Sequence, residues 1–431
     1  MHTHLASTTP RPRILHLTQP VEGGVARVVA DLVRAQLADG MDVTVACPDS
    51  PLTAELRARG ATVRHWAATR SPGPSLLREV RNLARVIDEV RPDLVHAHSA
   101  KAGLAGRLAV RGRIPTVFQP HAWSFEAVDG STAALALKWE RWGARWATRV
   151  VCVSEAERAT GARAGITGRW SVIPNGIDPE RFRPAAAGTV RAGLAPLAGL
   201  PPATLLAVCV GRLCRQKGQD VLLRAWEDIV CKVPDARLVL VGDGPDHDRL
   251  RAAAPESVLF AGAVTDASPW YQAADVVVLP SRWEGMALAP LEAMACGRPV
   301  VVTDVDGARE SLPPVFAARC LVPPEDPAVL AAAVTELLLD PMERESLGNR
   351  GRRHVLSTHD VRHTAEAVTA VYRELLGGRP ATDRARPSRA IECVTARGTE
   401  HGQPLDTGPG AEANQTTQRV EPTEHRESIH S

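Results

Sequence analysis

The sequence predicts an α/β protein of two units, each a parallel sheet covered by helices on both faces, with the two sheets facing each other across a cleft. Three observations support this prediction. Short apolar runs alternate with amphipathic stretches up to residue 184, and the same alternation resumes from residue 203. The chain of 431 residues is also two to three times the usual domain length of about 150 residues. Finally, the apolar periodicity stops near residue 377, so we expect a disordered tail over 377–431.

The first unit is predicted over residues 1–184. Apolar residues recur at helical spacing over 25–39 and 76–90, and Gly40 and Pro92 end these two helices. Strands that alternate with helices indicate a parallel sheet, because the crossover between two parallel strands is usually a helix. The short apolar runs that read as buried strands lie at 13–17, 42–46, 61–65, 93–97, 115–119 and 149–154.

The second unit is predicted over residues 203–376, after a linker at 185–202 that is rich in Ala, Gly and Pro. Open parallel sheets bind ligands at the carboxyl ends of their strands, so the cleft between the two units is the expected active site. The strands of this unit are expected at 204–210, 237–241, 258–260, 275–279 and 299–303, and its helices at 221–230, 288–296 and 328–339.

From the composition we expect no membrane-spanning helix, no signal peptide and no disulfide framework. No run of about 18 apolar residues occurs, and residues 1–13 lack the apolar core of a signal peptide, so we expect a cytoplasmic protein. The eight cysteines are scattered, with no C-x-x-C pair and no Cys/His cluster at zinc-ligand spacing. Residues 1–150 contain 20 Lys and Arg against 13 Asp and Glu, although the whole chain carries only +2. Such an excess is typical of a solvated surface, or of one that faces an anionic ligand or a membrane.

The most informative pattern is the stretch 280–301, which follows a predicted strand and opens a helix. Gly297 and Pro299 end that helix, Glu284 lies in the loop before it, and Glu292 lies about one turn into it. Successive backbone N–H groups at a helix N-terminus suit a diphosphate, and nearby carboxylates suit sugar hydroxyls. An ordinary strand–turn–helix with a capping Glu explains the pattern equally well. The N–H groups in question belong to Gly285, Met286, Ala287 and Leu288.

A second pattern lies at 210–218, directly after the first strand of the second unit. Arg212 and Lys217 follow the end of the strand and lie five residues apart. Gly211 and Gly218 allow the backbone to turn there. Two fixed cations at this edge suit a leaving diphosphate, since Arg gives forked recognition and Lys a point charge. The alternative is that both are solvated surface charges.

A third, weaker pattern is the pair Gly23 and Gly24 after the first strand of the chain. A Gly-Gly between strand and helix lets a ligand approach the backbone closely. A tight turn would explain the pair as well.

These patterns, in this order, resemble the retaining GT-B glycosyltransferases of family 4, the Glu-x7-Glu type of glycosyl transferases group 1. The Glu-x7-Glu pattern of that family, followed by Ala-Met-Ala-x-Gly-x-Pro-Val, closely matches residues 284–300. The resemblance covers roughly residues 13–376. It implies two Rossmann-like domains, the first for the acceptor and the second for a nucleotide sugar. The last helix of the chain would pack back on the first domain. Further matches lie at 153–154, 173–178, 211–218 and 241–245.

The resemblance also implies roles for residues of the second domain. Arg212 and Lys217 would hold the donor diphosphate and neutralise charge on the leaving nucleotide. Glu284 would contact the donor sugar, and the amides of 285–288 would surround the sugar and the phosphate. Glu292 would accept hydrogen bonds from the ribose hydroxyls.

The first domain would complete the site. Gly24, beside Gly23, would face the diphosphate. His121 occurs in the segment Gln-Pro-His-Ala-Trp at 119–123 and would lie near the anomeric carbon. Relatives usually have Gly or Asp at the next position, where this chain has Ala122.

The activity implied is transfer of a sugar from a nucleotide sugar, with UDP the commonest nucleotide in this family, to a hydroxyl of a glycan, lipid-linked or small-molecule acceptor. Retention of configuration is expected, with no cofactor and no metal, because Arg212, Lys217 and the helix amides replace an ion. Two alternative functions are consistent with parts of the same sequence patterns. One is a non-hydrolysing nucleotide-sugar 2-epimerase on the same architecture, and the other is a non-catalytic sugar-nucleotide sensor.

Two further patterns carry less weight. Asp304 and Asp306 spell the Asp-x-Asp of metal-dependent GT-A enzymes, but they follow a late strand, where relatives commonly carry Asp-x-Gly-Gly. Trp139, Trp142 and Trp146 recur beside basic residues, which is typical of a core helix or of an amphipathic helix in weak peripheral contact with the inner face of a membrane. All but four of the 51 basic residues are arginine, as in GC-rich genomes, so no nucleic-acid partner is predicted.

Overall fold

The computed structural model describes residues 11–377, and this part of the chain contains two parallel sheets. The first sheet has the strand order β3-β2-β1-β4-β5-β6-β7 and the second the order β10-β9-β8-β11-β12-β13. The strands of the first are β1 (Arg13–Thr18), β2 (Asp42–Cys47), β3 (Thr62–His65), β4 (Leu94–His98), β5 (Thr116–Gln119), β6 (Arg149–Cys152) and β7 (Trp170–Val172). Those of the second are β8 (Leu206–Val210), β9 (Arg237–Val241), β10 (Val258–Gly262), β11 (Val276–Leu279), β12 (Val300–Thr303) and β13 (Leu321–Val322).

Helices cover both faces of each sheet, which is why strands such as β4 and β12 are buried at every position. The helices of the first half are α1 (Gly23–Ala38), α2 (Pro51–Ala58), α3 (Leu76–Val90), α4 (Ser99–Val110), α5 (Gly130–Gly143) and α6 (Glu155–Arg163). Those that follow are α7 (Ala187–Gly193), α8 (Gln219–Lys232), α9 (His247–Ala253), α10 (Ser268–Ala273), α11 (Leu288–Ala295), α12 (Ala308–Ser311), α13 (Ala317–Cys320), α14 (Pro327–Leu339), α15 (Pro341–Thr358) and α16 (Val361–Leu375).

Both sheets reverse their strand order beside their first strand, between β1 and β4 and between β8 and β11. Ligands of open α/β sheets bind at such switch points, outside the carboxyl ends of the strands. The predicted fold class is therefore confirmed: two Rossmann-like units of parallel strands. Short strands β7 and β13, which carry only two or three residues, were not predicted.

The chain crosses between the two halves twice. After β7 it passes through residues 185–202, where the predicted linker contains α7. Arg191 of that helix pairs at 2.7 Å with Asp275, which directly precedes β11. The chain returns to the first half near Asp360, which forms an isolated β-bridge with Ile177. Gly176 is required there, since a Cβ atom at this position would lie 2.6 Å from the backbone nitrogen of Val361. Helix α16 then packs against α1 of the first sheet.

Other predictions can be compared directly. The seven cysteines in the described part of the chain are all free thiols. No helix within residues 11–377 is both long and apolar enough to cross a bilayer. The tail predicted over 377–431 lies, apart from Gly377, outside the described residues.

Candidate active site

A buried ion pair lies at the carboxyl edge of the second sheet. Glu284, which is only 8% exposed, accepts hydrogen bonds on Oε1 from Lys217 Nζ at 2.5 Å and from Ser281 Oγ at 2.7 Å. Lys217 lies on the turn after β8, and Glu284 lies on the loop after β11. The two loops meet because Gly218 has φ +65°, and a Cβ atom there would lie 2.0 Å from the Pro280 carbonyl oxygen. The structure thus brings together two of the predicted site residues.

The N-terminus of α11 lies directly after this ion pair. Its capping residue Ala287 has no side chain that can accept from the first-turn N–H groups. These N–H groups therefore have no capping partner within the described chain and suit an anion. The predicted amide loop from Gly285 to Leu288 is held from the first half of the chain, where Ser154 Oγ donates to the Gly285 carbonyl at 2.8 Å and Asn175 Nδ2 to that of Met286 at 2.7 Å.

Glu292 is buried one turn further along α11. The Tyr271 hydroxyl donates to its Oε2 at 2.7 Å. Burial raises the pKa of the Glu292 carboxyl, while the Tyr271 hydrogen bond and the positive charge of Arg27 on α1 oppose that rise. Because Arg27 belongs to α1 of the first half, Glu292 lies where the two halves of the molecule face each other.

Three arginines near this edge have no carboxylate partner among residues 11–377. They are Arg27 on α1, Arg70 on the loop after β3, and Arg212 after β8. Burial lowers the pKa of Arg70, and the like charge of Arg212 lowers it further. Facing cations of this kind make the cleft attractive to an anionic ligand.

The glycine pair of the first sheet lies opposite α11. Gly23 begins α1 with φ +73°, a conformation that glycine adopts without steric cost. A Cβ atom on Gly24 would lie 3.7 Å from Leu288 Cδ1, an ordinary packing distance. The structure therefore places the predicted glycine turn against the predicted amide loop.

His121 follows β5 and is joined to the same cleft by its neighbour. A Cβ atom on Gly285 would lie 2.9 Å from the backbone nitrogen of Ala122, so glycine is needed for this approach. Ala122 N–H donates to Glu157 Oε1 at 2.6 Å. Both His121 (φ +56°) and Ala122 (φ +95°) adopt left-handed backbone conformations, which cost non-glycine residues about 1 kcal/mol or more each. Burial lowers the pKa of His121 to about 3, so its ring is neutral.

Three other histidines lie beneath His121 and were not predicted. His16 of β1 and His96 and His98 of β4 are fully buried, and their ring nitrogens lie within 4.8 Å of one another. By residue type alone this group could hold a metal ion. Little in the sequence predicts this group, because these histidines occur inside apolar runs and His16 lies 82 positions before His98.

Sequence reasoning also missed the side chains that hold the predicted residues. Ser281, Tyr271 and Asn175 each donate to the loop or helix that carries the two glutamates. Only Asn175 lay within a matched stretch of sequence, at 173–178. The Asp-x-Asp pair is already engaged, since Asp304 pairs with Arg309 and Asp306 Oδ2 accepts from Thr160 Oγ1 at 2.6 Å.

Comparison with known proteins agrees with this geometry. The family described as Glycosyltransferase Family 4 matches residues 22–181, and the family described as Glycosyl transferases group 1 matches residues 204–340. Anabaena Alr3699/HepE, solved in complex with UDP and glucose, is similar in fold, with a TM-score of 0.71 and 23% identity over 83% of this chain and 98% of that one. Sucrose-phosphate synthase from Thermosynechococcus elongatus has a TM-score of 0.72 and 24% identity over 85% of this chain and 100% of that one.

Two relatives align over most of their length. The UDP-Gal:alpha-D-GlcNAc-diphosphoundecaprenol alpha-1,3-galactosyltransferase of Escherichia coli is 31% identical over 70% of this chain and 82% of the relative. D-inositol 3-phosphate glycosyltransferase 1 of Catenulispora acidiphila is 30% identical over 83% of this chain and 92% of the relative. Both are transferases, so the comparisons support neither the epimerase nor the sensor. With each half matched by its own family and these relatives aligned along both, the chain belongs to family 4 of the glycosyltransferases and has the GT-B fold.

Proposed function

We propose that this glycosyltransferase moves a sugar from a UDP-sugar to a hydroxyl of a glycan or lipid-linked acceptor, with retained anomeric configuration and without a metal ion. The observation that carries the proposal is the meeting of Lys217, Glu284 and the uncapped N-terminus of α11 at one sheet edge. Arg212 adds a cation without a carboxylate partner in the described chain. A diphosphate bound there is neutralised by fixed positive charges and helix amides.

The chemical step is departure of the nucleotide from the anomeric carbon. Negative charge builds on the diphosphate as the bond breaks, and Arg212, Lys217 and the amides of residues 285–288 stabilise it. Such preorganised charges are the largest rate-enhancing contribution in many enzymes. The donor sugar lies between Glu284 and His121, and the carboxylate of Glu284 stabilises positive charge that develops on the sugar ring.

The two fixed cations take the place that a divalent ion has in other transferases. The Asp-x-Asp pair supports this, because its carboxylates are held by Arg309 and Thr160. We expect activity to survive excess EDTA. Complete loss on chelation, restored by Mn²⁺ or Mg²⁺, would contradict the proposal and return Asp304 and Asp306 as ligands.

The UDP assignment is supported by the Escherichia coli relative, whose name specifies UDP-Gal as the donor. Thermal shift with UDP, GDP and ADP tests it, since a ligand at 100 times its dissociation constant adds about 2.7 kcal/mol to the free energy of unfolding. UDP should raise the melting temperature most. A larger shift with GDP would refute the assignment while leaving the transferase activity intact.

The acceptor proposal draws on α5, which leads away from the His121 loop. Trp142 is 43% exposed and Leu135 68% exposed on this helix, and Arg145 lies over the Trp142 ring at 4.7 Å. Exposed apolar side chains beside cations suit weak peripheral contact with an anionic membrane, where a lipid-linked acceptor would reside. Co-sedimentation with phosphatidylglycerol vesicles should fall in the Trp142→Ser variant, and equal sedimentation of both proteins would remove this part of the proposal.

The cation roles are tested by substitution. Arg212→Ala should lower kcat by about two orders of magnitude or more, because one transition-state charge contact of this kind contributes about 3 kcal/mol. Arg224→Ala is a matched control, since Arg224 pairs with Glu325 on the outside of the same half at 3.5 Å. A folded Arg212→Ala variant that keeps a third of the activity would refute the diphosphate assignment. Retention is read from the anomeric coupling constant of the product by NMR.

A further inference from the structure

A row of three imidazoles connects the interior of the first sheet to His121. His98 Nδ1 lies 3.2 Å from His121 Nε2, and His98 Nε2 lies 3.0 Å from His16 Nδ1. His16 Nε2 in turn lies 2.8 Å from the side-chain oxygen of Gln36 on α1. His16, His98 and Gln36 are all completely buried. We call the side chains of His121, His98, His16 and Gln36 the histidine row.

The histidine row has a direction. A neutral imidazole has one N–H donor and one acceptor nitrogen, so the tautomer of each ring dictates that of the next. The Gln36 oxygen can only accept, so His16 carries its proton on Nε2 and accepts on Nδ1. His98 then donates from Nε2 and accepts on Nδ1 from the Nε2–H of His121. This order leaves Nδ1 of His121 with a free lone pair, and it has no hydrogen-bond partner within residues 11–377.

Burial keeps the row neutral. It lowers the pKa of His16 to about 4 and of His121 to about 3, and it lowers that of His98 well below its usual value. Burial therefore favours the neutral form of each ring, which has one donor and one acceptor nitrogen.

Gln36 meets the histidine row through its side-chain oxygen, which lies 2.8 Å from His16 Nε2. The Gln36 side-chain nitrogen has no hydrogen-bond partner within residues 11–377. The contact between the Gln36 oxygen and His16 therefore sets the direction of the row, because an amide oxygen can only accept.

The backbone at the outer end of the row is strained. His121 has φ +56°, and such a conformation persists for a non-glycine residue only where its surroundings determine it. Here the His98 contact holds the ring, and the bond from Ala122 N–H to Glu157 holds the next peptide. The fold thus places this one imidazole at some cost in stability.

We propose that His98 and His16 are positioning residues that hold His121 as its Nε2–H tautomer, so that Nδ1 accepts a hydrogen bond from a hydroxyl of a bound substrate. This inference rests on the proposed position of His121 beside the reacting sugar. The hydroxyl belongs either to the donor sugar or to the acceptor. If the His98 variants raise the KM of the donor, the hydroxyl belongs to the donor sugar. If they raise the KM of the acceptor, it belongs to the acceptor.

The direct test is the tautomer itself, which can be read without activity. In the full chain labelled with ¹⁵N-histidine, we expect the NMR shifts of His121 to show a protonated Nε2 and an unprotonated Nδ1. In the His98→Leu variant, which removes the partner, the signal should become a mixture of tautomers. A protonated Nδ1 in the wild type would overturn the proposal whether or not a transferase assay succeeds.

The kinetic test is a double-mutant cycle. We expect His98→Leu to lower kcat/KM by about tenfold or more, as loss of a buried hydrogen-bond partner does, and to have little further effect when His121→Ala is already present. His98→Gln, which keeps a donor and an acceptor, should restore part of the activity. His96→Leu is the matched control, because His96 is equally buried on the same strand and its ring centroid lies 3.9 Å from that of His98, but it makes no hydrogen bond to His121.

Three further results would overturn the proposal. Equal losses from His98→Leu in both backgrounds, or equal losses from the His96 control, would mean that the histidines act by packing alone. Stoichiometric zinc or another metal in the purified wild type that is lost in His98→Gln would mean that His16, His96 and His98 form a metal site instead. If His98→Leu fails to fold, the His98→Gln variant and the wild-type tautomer still decide between these outcomes.

Discussion

Replacing Glu284 by Gln removes one charge from the proposed reaction centre and little else. Gln has nearly the same shape and keeps an oxygen that can accept from Lys217 or Ser281, which now both donate to Oε1. A unit charge at about 5 Å from half a positive charge contributes about 1.7 kcal/mol at an effective dielectric constant of about 20. Loss of that stabilisation predicts a fall in kcat of about 20-fold.

Donor affinity should respond differently. The Lys217 ammonium donates to the Glu284 carboxylate, so removal of the Glu284 charge leaves Lys217 available to the diphosphate. We therefore expect the dissociation constant of the donor to stay within about threefold while kcat falls, the pattern of an interaction stronger in the transition state. Glu292→Gln should do the opposite and mainly raise the donor KM, because a ribose contact is equal before and during reaction.

Single-turnover rates and donor calorimetry separate the two cases. Urea denaturation should accompany them, because the buried pair with Lys217 contributes to stability, and a hydrogen bond to a charged group is worth about 1.5–3 kcal/mol. Only variants that remain folded at the assay temperature enter the comparison. Should Glu284→Gln lose only affinity while Glu292→Gln loses only the chemical step, the roles given to the two carboxylates are reversed.

Three further predictions concern residues around the site. Tyr271→Phe removes the donor to Glu292 and should raise the donor KM about tenfold while kcat stays within twofold; steady-state kinetics would contradict this if kcat alone fell. Ala122→Gly should raise the free energy of unfolding by about 1 kcal/mol, because glycine adopts φ +95° without steric cost; a decrease in urea midpoint would oppose it. Stability should fall as pH falls from 6.5, because unfolded histidine binds a proton near that pH whereas folded His16 does so only near pH 4, a difference of about 3 kcal/mol. Burial raises the pKa of the Glu157 carboxyl to about 7, so this group acts in the opposite direction between pH 4.5 and 7. The lowered pKa values of His98 and His121 act in the same direction as that of His16, and together the histidines should prevail. Urea denaturation curves that coincide at pH 7.5, 6 and 5 would refute this net effect.

Local patterns in the sequence predicted the parts of the fold that depend on local order. Apolar runs located β1 and β11, and the Gly297 stop located the end of α11, because burial on both faces and helix termination each leave a signal within a few residues. The pairing of Glu284 and Glu292 with one helix N-terminus was also predictable for that reason. That prediction required only the spacing of eight positions between the two glutamates.

What could not be predicted depends on which distant strands become neighbours. His16 and His98 are 82 residues apart and meet only because β1 pairs with β4 in register. Within its own run each reads as a polar interruption of a buried strand. Tyr271 carries no motif either, and its role follows from the packing of α10 on α11.

Ala122 shows how a departure from the family pattern can be informative. A residue without the conformational freedom of glycine occupies φ +95°, next to a histidine that is also left-handed. The fold tolerates both because Glu157, His98 and Gly285 determine the loop from three sides. Strain that is held in place by so many buried contacts is typical of a site whose geometry matters more than its stability. The cost lies at the one point where the histidine row meets the cleft, which is where an oriented nitrogen lone pair would be needed for substrate.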